Sequence, residues 1–132
     1  MNRPELGLCC EVEYVSLHDG DTVRVKLRTG QRCHIRLIEC WCPELKDPGG
    51  PEARAYQLGI LSDLEPGELR LYLPPFKDTS ADGILDIYDI LKAMSFSRVP
   101  GRLFIGEKDV SAMTVAAGHA TQFEKPKAKR HR

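Results

Sequence analysis

The chain has 132 residues, 42% of them hydrophobic, with 19 Lys or Arg against 19 Asp or Glu. That suits one compact domain with a core of its own, and no segment approaches the roughly 20 apolar residues of a membrane span. Five cations crowd into residues 125–132, where no acid stands, leaving 14 against 19 in the other 124 residues: an acidic body with a basic tail.

Residues 1–124 are read as a single domain and 125–132 as a basic tail. Lys125, Lys127, Lys129, Arg130 and Arg132 are either a solvated terminus or salt-dependent contacts to phosphates, and no aromatic interleaves with them to stack on bases. The first residues lack the apolar stretch of a signal peptide, so the chain as given is expected in the cytoplasm, as a soluble monomer. Five cysteines, with Cys9 and Cys10 adjacent, do not suit a disulfide framework, and reduced, mostly buried thiols are expected.

In chain order, residues 8–17 have strand composition and end at the punctuation His18-Asp19-Gly20. Residues 22–28 alternate, with Val23, Val25 and Leu27 on one face and Thr22, Arg24, Lys26 and Arg28 on the other, and Thr29-Gly30 turns the chain into a third strand over 31–40. Cys40 and Cys42 would share a strand face, and with Cys33 and His34 they could be considered for zinc. The spacing fits no standard zinc pattern, and small apolar core residues are the preferred reading.

Pro51-Glu52-Ala53 opens a helix, with proline and an acid in its first turn. Tyr56, Ile60, Leu61 and Leu64 supply its apolar stripe to about residue 64. Residues 68–73 return as a strand stopped by Pro74-Pro75. Residues 76–83 read as loop, and Ile84 to Met94 as a helix or, since Ile and Tyr favour sheets, as a strand. Phe96 to Ile105 is a strand that Pro100 assigns to an edge or a bulge, and Val110 to Ala117 a helix closing at Gly118. Five strands with two or three helices in this order make an α+β, mainly β fold and look like an OB-fold barrel.

Several motifs stand in a fixed order on that frame: Asp19-Gly20-Asp21-Thr22-Val23, Arg36-Leu37, Pro43-Glu44, Gly50-Pro51-Glu52-Ala53, Phe96-Ser97-Arg98 and Gly118. Taken singly they are a tight turn, a surface cation and a residue after a loop proline. Together they resemble the staphylococcal-nuclease-like family, whose pattern runs Asp-Gly-Asp-Thr, then Arg-Leu, then Asp-x-Pro-Glu, and whose members hydrolyse nucleic-acid phosphodiesters with calcium.

The resemblance covers most of residues 11–120. It implies that Arg36 and Arg98 clamp the phosphate and offset the charge of the five-coordinate transition state, while Glu44 positions or activates the water. Arg98 takes the place of the arginine in the family's Tyr-Gly-Arg, with Arg102 as runner-up. Asp21 and the backbone carbonyl of Cys42 would hold calcium. The substrate would be DNA or RNA, single strands favoured.

Two departures stand out. Trp41 occupies the position of the family's second metal-binding Asp, removing a charge and a ligand that Asp19, Glu39 or Glu44 would have to replace. Ser95-Phe96 replaces a Lys-Tyr pair that touches substrate phosphate in the family. Trp41 either packs over the old metal position, stacks on a nucleobase, which Phe96 could also do, or meets a partner protein. Two hypotheses result: a metal-assisted nuclease, or a catalytically degenerate OB-fold module binding single-stranded nucleic acid or a protein.

Overall fold

The computed structural model describes residues 8–73 and 98–123. The expected 76–83 loop, the Ile84 to Met94 element, Phe96 and the basic tail lie outside the described residues. Strands β1 (Leu8–Asp19), β2 (Thr22–Leu27) and β3 (Arg32–Leu37) form an antiparallel meander. Helix α1 (Gly50–Leu61) follows, then β4 (Leu69–Leu73), β5 (Val99–Ile105), a two-residue β6 (Lys108–Asp109) and helix α2 (Val110–Ala116).

The sheet order is β3-β2-β1-β4-β5-β6, and a parallel pairing of β3 with β5 closes the first five strands into an OB-like barrel. The twelve residues of β1 make the closure feasible: residues 8–11 pair with β4 and residues 12–19 with β2, with two register shifts, after Tyr14 and Leu17, in the half paired with β2. Alternation then fills the interior with Val23, Val25, Ile35, Leu37, Leu71 and Leu103, all essentially inaccessible.

Pro100 sits at a local edge: Arg36 opposes it on β3, whereas among the described residues the β4 pairing begins only at Arg102. A missing N–H is tolerated where only one neighbour is present. At Gly101 a Cβ would sit 3.2 Å from each of Ile35, Leu71 and Leu73, so only glycine lets three strands converge there without displacing side chains.

Helix α1 starts after Gly49, left-handed at φ 88°, and ends at Leu61 with Ser62 as its cap, a turn before residue 64. Its buried face is Gly50, Ala53, Gln57 and Leu61, rotated from the expected stripe, while Tyr56 and Ile60 flank it half-buried. Asp109 caps α2 by accepting from Ser111 N at 3.0 Å. Cys33 and Cys40 are buried and Cys42 half-buried, but Cys9 and Cys10, expected mostly buried, are exposed at the end of β1 that pairs with β4 alone. On β3, Cys33 is buried and its neighbour His34 exposed, because successive strand residues face opposite ways. No helix among the described residues is long and apolar enough to cross a membrane.

Candidate active site

The turn between β1 and β2 is built to hold one carboxylate still. Gly20 is enclosed so tightly that a Cβ would lie 2.8 Å from Cys42 Sγ and 2.9 Å from Ala53 Cβ, so the turn is pressed against both α1 and the segment after β3. Gln57 Nε2 fastens it from below, donating to Gly20 O at 2.9 Å and to Thr114 Oγ1 at 2.8 Å. Asp21, 7% exposed, receives Cys42 N–H on Oδ2 at 3.0 Å, and its own backbone carbonyl accepts from Leu37 N at 2.9 Å.

Burial is the first cause of an Asp21 pKa pushed up to about 6, and a hydrogen bond with Asp19 adds to it; Cys42 N–H and Arg36 pull the other way. The thiol of Cys42 is pushed up too, first by its contact with Cys40 Sγ at 4.0 Å and then by burial, so it stays protonated at neutral pH.

Arg36 leaves β3 directly beneath this carboxylate. Its Nη1 donates to the carbonyls of Leu37 and Cys40, which fixes the plane of the guanidinium. The Trp41 ring lies against that plane, 4.1 Å from Cζ to the ring centroid, as a cation–π pair. Nη2 sits 3.5 Å from Asp21 Oδ2, too far for a well-made hydrogen bond, and is buried with no hydrogen-bond acceptor among the described residues. Arg36 is therefore pre-oriented with one donor to spare.

Arg98 approaches from the residue before β5, its Nη1 3.5 Å from Thr22 Oγ1, which in turn lies 3.4 Å from Asp21 Oδ1. Arg98, Thr22, Asp21 and Arg36 thus form one chain of contacts from residues up to 77 positions apart in sequence. Arg102 points elsewhere: it pairs with Glu39 and, at 2.7 Å, with Asp109. Glu44 is exposed in the loop two residues beyond Cys42, while its carbonyl O accepts from Asp47 N and abuts Gly50. Trp41 is 38% exposed and exchanges two backbone hydrogen bonds with Thr121.

Three contributors were not read from the sequence. Gln57 was hidden by its setting in an otherwise apolar helix face, though a polar residue at a core-facing position signals a buried hydrogen bond. Thr22 links the two arginines, and Asp109 holds Arg102 away from the site; each is visible only in three dimensions.

The donor set does not fit calcium. That ion takes about six to eight oxygens, whereas Asp21 Oδ2 already accepts Cys42 N–H beside a guanidinium and the neighbouring Asp19 Oδ1 already accepts Asp21 N–H. Trp41 brings no oxygen. Glu39, the nearest substitute along the chain, is held by Gln122 and Arg102, which lower its pKa. Among the described residues no three His, Cys, Asp or Glu side chains are grouped to hold a metal ion. No protein-family model matches this chain, and no curated protein matches it.

Proposed function

We propose that this barrel handles phosphodiesters in the manner of the staphylococcal-nuclease-like family, gripping DNA or RNA, single strands favoured, between Arg36 and Arg98 and hydrolysing the backbone. The observation that carries the reading is the spare Nη2 of Arg36. A guanidinium immobilised by two carbonyls, whose buried Nη2 has among the described residues only a long 3.5 Å approach to Asp21 Oδ2, is prepared for an anionic oxygen, and a non-bridging phosphate oxygen satisfies it.

Arg98 supplies the second cation from the other side of Thr22. As water adds to phosphorus and the bond to one sugar oxygen breaks, that oxygen leaving with a proton from solvent, the five-coordinate transition state gathers negative charge on the non-bridging oxygens, and donors already in place stabilise it more than the ground state. Glu44 stands in solvent on the adjoining loop and serves as the group that orients the water and takes its proton. The exposed part of Trp41 offers a stacking surface for an unpaired base beside the phosphate.

Cleavage of denatured DNA and of RNA by the purified protein, with calcium, with manganese and with chelator, tests this. Arg36→Ala and Arg98→Ala should each cut the rate by at least about 100-fold, the effect of losing one such donor. Undiminished cleavage by Arg36→Ala refutes the assignment.

A second reading is favoured by the lack of a three-residue metal-binding group among the described residues and by Trp41 lying on Arg36. In it the barrel binds single strands without cutting them. Strand binding with no cleavage under any metal, and cleavage gained with calcium in Trp41→Asp, would establish that reading instead.

A further inference from the structure

Beside Arg98 the barrel surface opens into a cavity of about 450 Å³, lined by Ser16, Leu17, His18, Thr22, Arg24, His34 and Arg98. Among the described residues no carboxylate lines it. Its polar wall is two arginines, two histidines and two hydroxyls. Arg24 Nε donates to His34 Nε2 at 3.0 Å, so the two side chains brace one another, and among the described residues neither Arg24 nor Arg98 has a carboxylate partner. Two arginines facing one cavity repel each other, and an anion between them removes that cost.

The geometry points to this cavity as a second phosphate site, receiving the phosphate next along the strand from the one held by Arg36. The inference rests on the nucleic-acid reading above and deepens it. Thr22 and Arg24 are two residues apart on β2, about 6.6 Å along the strand, a span comparable to one nucleotide step of an extended chain. Arg98 stands between the two positions, touching Thr22 and lining the cavity. A strand laid across them would place one phosphate at Arg36 and Arg98, and the next at Arg24 and His34, with His18 at the rim. The substrate this selects carries at least two consecutive phosphates.

The test is calorimetric titration of the wild type, Arg24→Gln and His34→Gln with thymidine 5′-monophosphate and with 5′-phosphorylated dithymidylate. Arg32→Gln, an exposed β3 cation outside the cavity, is the control. The wild type should bind the dinucleotide about tenfold or more tightly than the mononucleotide, the effect of one charge-assisted hydrogen bond. Arg24→Gln should erase most of that preference while leaving mononucleotide affinity unchanged, and should lower the salt slope for a longer oligothymidylate by about 1. His34→Gln, which unbraces Arg24, should act in the same direction. Equal binding of the two nucleotides by the wild type overturns the second site and leaves the first standing. An effect of Arg32→Gln as large as that of Arg24→Gln reduces the cavity to general surface charge and also overturns it. Failure of the wild type to bind either nucleotide removes the nucleic-acid reading itself.

Discussion

Replacing Asp21 by Asn should make the protein more stable. The carboxylate is buried and takes Cys42 N–H, yet its pKa stands at about 6 instead of near 3.8, because burial outweighs both that bond and Arg36. At 1.36 kcal/mol per pKa unit, holding the ionised form in the fold at neutral pH costs about 3 kcal/mol. A group whose folded pKa is raised binds its proton more tightly when folded, so wild-type stability should fall as pH rises from about 4 to about 6 and change no further from this source. Asn keeps a carbonyl oxygen for Cys42 N–H and removes the charge. Urea unfolding at several pH values gives the difference between variant and wild type, in which the other carboxylates cancel. Asp21→Asn should gain little near pH 4 and roughly 1–3 kcal/mol above pH 6, within the spread of such effects. A gain that shrinks as pH rises, or a loss at pH 7, would mean that the Arg36 pairing outweighs desolvation, and the account of this site would be wrong.

Two further substitutions test how the site is held. At Gly50 a Cβ would lie 2.0 Å from Glu44 O, so Gly50→Ala should push the Pro43-Glu44 loop off the helix, cost about 2–3 kcal/mol in urea unfolding and reduce any cleavage that depends on Glu44. Gln57→Leu deprives Gly20 O of its donor, for about 1–2 kcal/mol, softened because Gln57 Oε1 is itself buried without a partner among the described residues; loosened packing at the Asp19-Gly20-Asp21 turn should appear as faster amide exchange at Asp21.

The barrel was legible because its strands carry local signals: alternation in β2, the turn at Thr29-Gly30, and proline and an acid opening α1. What was misjudged depended on neighbours. The α1 stripe was centred on apolar residues when the packed face runs through Gln57. At the site, order along the chain was enough to single out Asp21, Arg36 and Arg98, which the fold brings into one line of contacts. It was not enough to divide labour between Arg98 and Arg102, since Arg102 is drawn away by Glu39 and Asp109, residues on a loop and on β6 that pattern reading does not bring near it. Nor could it place the Trp41 ring on Arg36, because that stack depends on how the chain leaves β3.

Strand β5 completes the cylinder by joining β3 to β4, and Arg98 is the residue immediately before it. The last stave therefore carries the second cation in with it. A molecule whose β5 has come away loses its barrel closure and, on the proposed reading, half of its anion clamp in one event. On that reading grip on the ligand and integrity of the fold are a single equilibrium: bound oligonucleotide should hold the seam between β3 and β5 shut, and protection of the Ile38 amide, which donates to Gly101 O across that seam, would register it.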